Sequence, residues 1–209
     1  MDIYLMRHGQ TDLNVQKRLQ GSSDIPLNDR GRFQASETRK LFEKKGIKVT
    51  KIIASPLERA IETGHLATGI GMDEIGTEQN LIEMSFGIYE QQNMETVDPE
   101  FLGRCFDHPE TYEPPANGEC YDEVVARAGA VVEMLRKKIF HKEFAEDDVI
   151  LLVSHGALSH GMFEYIKKTP RAAYWDVDFN NCAIAKLTIG VDRSGDDYTF
   201  ISNGFEKNW

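Results

Sequence analysis

The chain has 209 residues, 41% hydrophobic and 28% charged, which is enough to bury one substantial core and points to a single domain spanning 1–209. Its net charge of −10 argues against nucleic acid or an anionic membrane as the main partner, because both demand a basic face. The balance is uneven, with 12 Lys+Arg against 7 Asp+Glu in residues 1–60 and 12 against 27 in residues 61–209, so any anion is expected to meet the N-terminal part.

Taken in chain order, Asp2 to Met6 reads as a buried strand that ends abruptly in "RHGQTDLN". The stretch "LNDRGRFQASETRKLFEKKG" is helical in pattern, with Phe33, Leu41 and Phe42 among its apolar positions and Gly46 as its stop. A short strand over Lys51 to Ala54 precedes a second helix, for which Ser55 is the expected N-cap, Pro56 fits the first turn and Glu58 completes a capping box. From Glu119 to Phe140, Val124, Ala128, Val131, Leu135 and Ile139 recur at helical spacing. "DDVILLVSHGALSHGMFEYIKKTP" is an apolar strand, a Ser-His-Gly turn and a helix that must finish before Pro170. "CAIAKLTIG" and "YTFISNGF" close the chain as a hairpin around "VDRSGDD".

Strands alternating with helices, then a hairpin, predict an α/β three-layer sandwich: a largely parallel sheet, an antiparallel edge, and helices on both faces. Met94 to Gly118 fits neither period and carries four prolines, so it is expected as an excursion over the open end of the sheet. Three cysteines, Cys105, Cys120 and Cys182, without CxxC spacing read as free thiols and predict a cytoplasmic protein. No signal peptide or long apolar run is visible.

"DIYLMRHG" and "VILLVSHG" share one shape, an apolar run followed by His-Gly. Ligands of open α/β sheets sit beyond the carboxyl ends of the strands, so His8 and His155 are expected on one face. With Arg7 and Arg59 they would form a donor-rich cationic cluster suited to a phosphate dianion. A neutral imidazole there can attack phosphorus, and a carboxylate can serve the leaving oxygen and then the incoming water. Glu83 is one candidate for that carboxylate, and no spacing rule separates it from Glu78 or Glu90. Neither a metal nor an organic cofactor is called for, since the arginines and histidines supply the charge stabilisation. His65, His108, His141 and His160 are expected to be structural; His155 and His160 are five apart, not the four that place two ligands on one helix face.

Four segments, "LMRHGQTDLN", "SPLERAIET", "LIEMSFGIYE" and "LLVSHG", occur in an order and spacing that resemble the histidine phosphatase superfamily, in its phosphoglycerate mutase-like branch. The resemblance implies that His8 is the phosphorylated nucleophile, that Arg7, Arg59 and His155 bind the phosphoryl group, and that Glu83 is the proton donor. It also implies that Asn14, Gln20, Gly21 and Gly156 contact the substrate. The chain departs from the family at Gln91, where an aromatic-Glu-Gly sequence is common. The excursion holds one basic residue, Arg104, among six carboxylates, flanked by Glu90 and Glu119, whereas cofactor-dependent mutases carry an arginine pair in a longer insertion.

The expected activity is therefore metal-independent hydrolysis of a small phosphorylated metabolite. A mutase is the alternative within the family, and a phospho-ligand binding protein without catalysis is the alternative outside it. Neither nucleic acid nor membrane is expected as a partner; the amphipathic helix faces are compatible with a homodimer.

Overall fold

The computed structural model describes residues 1–205; residues 206–209, the tail of the expected domain, lie outside the described residues. Its sheet has strands β1 (Asp2–Arg7), β2 (Lys51–Ala54), β3 (Gly76–Thr77), β4 (Val149–Ser154), β5 (Ile184–Thr188) and β6 (Asp197–Ser202), in the order β3-β2-β4-β1-β5-β6. The first four of that order run parallel, β5 is antiparallel to β1, and β6 is antiparallel to β5. The expected α/β sandwich with an antiparallel edge is the observed one.

Alternation along the strands divides the core in two, because successive side chains leave opposite faces of a sheet. Ile3 and Leu5 of β1 and Ile150 and Leu152 of β4 pack under α5 (Tyr121–Phe140) and α6 (Gly156–Lys167). Tyr4 and Met6 with Leu151 and Val153 pack on the other side, under α2 (Asp29–Lys45) and α3 (Glu58–Thr68). Two sequence expectations shift here. Phe33 points outward at 49% exposure, and the buried stripe of α2 runs through Gln34, Ala35, Thr38 and Phe42 instead. Gly46 does end that helix, in the left-handed conformation at φ 68°.

The start of α3 is the clearer correction. Ser55 is not its N-cap: its backbone N–H donates to Val153 O at 2.9 Å, continuing the pairing of β2 with β4. That N–H is the one from which the Glu58 carboxylate would have to accept in a capping box. Ser55 Oγ accepts instead from Leu57 N at 3.3 Å, and the helix begins two residues later than expected, at Glu58, with Leu57 as a cap that has no capping side chain. The orphan N–H of Glu58 is met from another segment, by Asp24 Oδ1 at 2.8 Å. The expected Ser55–Glu58 box is absent for that reason.

Residues of the excursion pack into the α5/α6 side of the core through Val97, Phe101 and Cys105. The segment forms α4 (Pro99–Leu102), a wide turn over Gly103–Asp107 and a short 3-10 turn over Pro109–Thr111. An aromatic chain anchors it: Tyr112 lies 4.9 Å from Tyr121, Tyr121 lies 4.3 Å from Tyr174, and Trp175 donates from Nε1 to Cys105 O and Tyr121 Oη, each at 2.9 Å. A short helix α1 (Asp12–Val15), not expected from the hydrophobic pattern, opens with a Thr11–Asn14 capping box. Among the described residues no helix is long and apolar enough to cross a membrane.

Candidate active site

β1 and β4 are neighbours in register, with Arg7 opposite Ser154, so the residues that follow, His8 and His155, leave the sheet side by side. Their ring centroids are 5.1 Å apart. The turn after β1 comes close to α2: a Cβ on Gly31 would lie 2.1 Å from Gln10 O, and one on Gly9 would lie 2.6 Å from Gly31 O. Glycine at both positions is what admits this contact. The turn is pinned by Gly9 N–H to Thr63 Oγ1 at 3.0 Å and Gln10 N–H to Gln34 Oε1 at 2.9 Å.

The two histidines are held in different tautomers. His8 Nδ1 lies 2.6 Å from Gly9 O. A carbonyl can only accept, so Nδ1 carries the proton and Nε2 keeps its lone pair. His155 is the reverse. Arg59 Nε–H donates to its Nδ1 at 3.2 Å, which leaves the ring proton on Nε2. Burial, reinforced by Arg59 and Arg7, holds His8 well below the ordinary histidine range, the Gly9 carbonyl opposing only in part. Burial, then Arg59, does the same to His155. Both rings are neutral at pH 7.

Arg59, on the first turn of α3, is fully buried. Besides His155 it reaches Ser23 O at 2.6 Å and Gly21 O at 2.9 Å, so the 21–23 loop and the histidine are fixed by one guanidinium. Burial pushes its pKa down to about 10, partly offset by Glu83, Asp24 and Glu90, and it remains cationic. Burial also lowers Arg7, again opposed by Glu83. Arg7 Nη1 donates to Phe179 O at 2.9 Å. Among the described residues, three buried side-chain polar atoms lack a hydrogen-bond partner, Arg7 Nε, His155 Nε2 and Tyr112 Oη. Two of the three are donors of this cluster. Leaving them unmatched is costly unless an acceptor is part of the design.

Glu83 faces the same place. Its Oε1 accepts from Met84 N at 2.9 Å and Leu158 N at 3.0 Å, and its Oε2 from Ala157 N at 3.1 Å, at the N-terminus of α6. Gly156 sits between charges: a Cβ there would be 3.5 Å from both Arg7 Cζ and Glu83 Oε2. Asn14 Oδ1 is engaged by Thr11 N–H at 3.1 Å, and Gln20 Oε1 by Thr11 Oγ1 at 2.9 Å, which turns both amide nitrogens away from those donors.

A cavity of about 170 Å³ is lined by Arg7, His8, Asn14, Gln20, Gly21, Arg59, Glu83 and Gly156. His155 is not on its wall but lies against His8. All nine sequence-predicted residues are thus brought together. Arg7, Asn14, Arg18, Phe106 and Trp175 continue into a neighbouring cavity of about 630 Å³, which also touches Lys17, Met94, Asp107, His160 and Asp178.

Sequence reasoning missed several residues here. Arg18 lies just past the end of α1, bridged to Asn93, and no helical spacing from Asn14 places it. Nothing local signals Phe106 or Trp175, nor Asn181, whose Nδ2 donates to His8 O at 2.9 Å from the far end of the chain. His160, expected to be only structural, is on the wall of the larger cavity, 4.7 Å from the Trp175 ring. Most acidic side chains of the excursion lie away from the site cavities. Of its six carboxylates only Asp107 reaches a site cavity, while Arg104 pairs with Glu100 and Glu113 on the outer side, and Glu95 pairs with Lys17. Among the described residues no group of three His, Cys, Asp or Glu side chains is arranged to hold a metal ion.

A largely parallel sheet that brings two neutral histidines, the buried Arg59 and the half-buried Arg7 together at one strand-end cavity defines a class of phosphoryl-handling α/β enzymes. The family model of the histidine phosphatase superfamily (branch 1) matches residues 3–195, and the chain belongs to this superfamily. It is 31% identical over 193 residues to a protein named "Probable phosphoglycerate mutase GpmB" from Cronobacter sakazakii, spanning 90% of this chain and 84% of that one. Among solved structures, Bacillus stearothermophilus YhfR is similar at a TM-score of 0.81 and 25% identity, over 99% of this chain and 98% of that one. A mycobacterial glucosyl-3-phosphoglycerate phosphatase is similar at a TM-score of 0.75 and 25% identity, over 96% and 97%. The chain is a phosphatase of the phosphoglycerate mutase-like type.

Proposed function

We propose that the protein hydrolyses a small phosphomonoester through a phosphohistidine on His8. The observation that carries this reading is the opposed pair of tautomers: His8 presents a lone pair at Nε2, while His155 Nε2–H and Arg7 Nε–H are buried donors without a protein acceptor. A phosphoryl group bound on His8, between the Arg7 and Glu83 walls of the 170 Å³ cavity and beside His155, would supply the acceptor those donors lack and turn its ester oxygen toward Glu83.

In the first step His8 Nε2 forms a bond to phosphorus as the bond to the alcohol oxygen breaks, and protonated Glu83 gives its proton to that oxygen. Arg7, Arg59, His155, Asn14 and Gln20 hold the phosphoryl oxygens, with Gly21 and Gly156 admitting close approach. In the second step water adds to phosphorus, the N–P bond breaks, and Glu83 takes the proton. Charge on phosphorus is met by donors fixed in advance, the arrangement that contributes most to such catalysis. The alcohol portion is accommodated by the 630 Å³ cavity, whose charged rim carries Lys17 and Arg18 as well as Asp107 and Asp178. No arginine of the excursion faces that cavity, since Arg104 is engaged outside it, which favours transfer of the phosphoryl group to water over its return to a second phosphoester.

The test is phosphate release from a panel of phosphomonoesters in the presence of chelator, run beside interconversion of 2- and 3-phosphoglycerate with and without the bisphosphate. Release should persist with chelator and vanish in His8→Ala. Interconversion outrunning release would instead make the protein a mutase, and no turnover in either arm would favour a binding protein.

A further inference from the structure

The segment that carries Glu83 belongs to no regular element beyond a single 3-10 turn over Gln79–Leu81, yet Leu81 and Met84 are fully buried. Buried backbone outside helices and strands must find its hydrogen bonds elsewhere. Here four consecutive carbonyls, those of Asn80, Leu81, Ile82 and Glu83, each receive a side-chain donor from a distant part of the chain. Ser154 Oγ meets Leu81 O at 2.9 Å. One guanidinium, that of Arg127 on α5, takes the other three, with Nη1 to Asn80 O at 3.0 Å and Ile82 O at 2.8 Å and Nη2 to Glu83 O at 3.5 Å.

The remaining face of Arg127 is held by Glu119 in a bidentate pair, Nε to Oε1 at 2.7 Å and Nη2 to Oε2 at 2.8 Å. Glu119 returns to the same segment, its Oε2 accepting from Ser85 N at 2.9 Å and its own N–H donating to Ser85 O at 2.9 Å. Arg127 and Glu119 line neither site cavity. We infer that the Arg127–Glu119 pair is a positioning clamp for the proton-transferring carboxylate, setting the path of residues 80–85 so that Glu83 meets the ester oxygen.

This inference rests on the reading of Glu83 as proton donor. A fork of donors aimed at three carbonyls and a carboxylate is a geometry that lysine, a point charge on a flexible stem, does not reproduce. Misplacing Glu83 should hurt a reaction in proportion to its need for a proton on the leaving group. An aryl phosphate departs without help, whereas an alkyl phosphate does not.

The experiment measures kcat and KM on p-nitrophenyl phosphate and on glycerol 3-phosphate for wild type, Glu83→Gln, Arg127→Ala, Arg127→Lys and Glu119→Gln. All three clamp variants should lose kcat on the alkyl ester by on the order of 10-fold more than on the aryl ester, with KM nearly unchanged, a smaller copy of the Glu83→Gln pattern. If Glu83→Gln is selective and the clamp variants lose equally on both esters, the clamp is merely structural and the inference falls. If Glu83→Gln itself loses equally on both, the donor reading falls and the clamp's role with it. Should Arg127→Ala fail to fold, Arg127→Lys and Glu119→Gln decide the matter by the same ratio.

Discussion

The turns after β1 and β4 begin as near copies, each an apolar strand running into His-Gly on the same edge of the sheet, yet they deliver opposite chemistry. After β1, the neighbour of the imidazole is its own next carbonyl, Gly9 O, and the ring shows a lone pair to the cavity side. After β4, the neighbour is Arg59 Nε, brought in from α3, and the ring shows a proton. What a histidine can do is therefore set by whatever touches its second nitrogen. Both rings are neutral, because burial beside the arginines disfavours imidazolium in each.

The sharpest way to break this comparison is to replace each ring by the same side chain. Glutamine offers an amide N–H but no nucleophile, so His8→Gln should abolish turnover and the acid-labile phosphoenzyme. His155→Gln should keep a residue of activity, down by about 10²- to 10³-fold, the usual cost of weakening one fixed donor. Rapid-quench trapping with labelled substrate checks both, and equal loss in the two variants would count against distinct roles.

A second test uses the shared neutrality. Both histidines have folded pKa values below the unfolded value of about 6.5, so the unfolded chain binds more protons and stability must rise with pH in this range. Their contribution is thus present above the unfolded pKa and is lost as pH falls below it. Urea denaturation from pH 7.5 to 5 should show the unfolding free energy falling below pH 6.5, with each histidine adding about 1.4 kcal/mol per pH unit to the slope. The slope should shrink in His155→Gln, and an unchanged slope would mean that His155 is not held neutral.

The smallest effect concerns the helix that supplies Arg59. Asp24→Ala removes the oxygen that caps Glu58 N–H and should cost about 1 kcal/mol in unfolding free energy. Denaturant midpoints would show it, and a change under a few tenths would mean that water replaces the cap.

Much of the fold was legible because its signals are local. The α2 helix stops at Gly46 and α6 ends before Pro170, as the residues at those ends dictate. The hairpin of β5 and β6 closes the sheet where two apolar runs flank a turn-rich stretch. Ser55 shows the limit of such signals: its pattern is that of an N-cap, but a hydrogen bond to Val153, nearly a hundred residues away in the chain, claims its backbone first. Phe33 fails in a similar way, since helical periodicity alone admits it while the packing of α2 on the sheet chooses the stripe through Phe42. The acidic composition of the excursion was legible but carries no direction; the structure pairs Glu100 and Glu113 with Arg104.

By itself the sequence determined which chemistry could be assembled. Strand-ending His8 and His155 and the helix-borne Arg59 follow from residue type and spacing within a few positions, while Glu83 was singled out from Glu78 and Glu90 only by the family resemblance of its segment. Only the tertiary structure decided how they act, because tautomer, orientation and burial depend on partners far apart in the chain. Arg59 meets His155 across 96 positions, Asn181 meets His8 across 173, and Arg127 meets Glu83 across 44. Those contacts exist only when the sheet and both helical layers have closed, so no pattern within one stretch of sequence could have stated them.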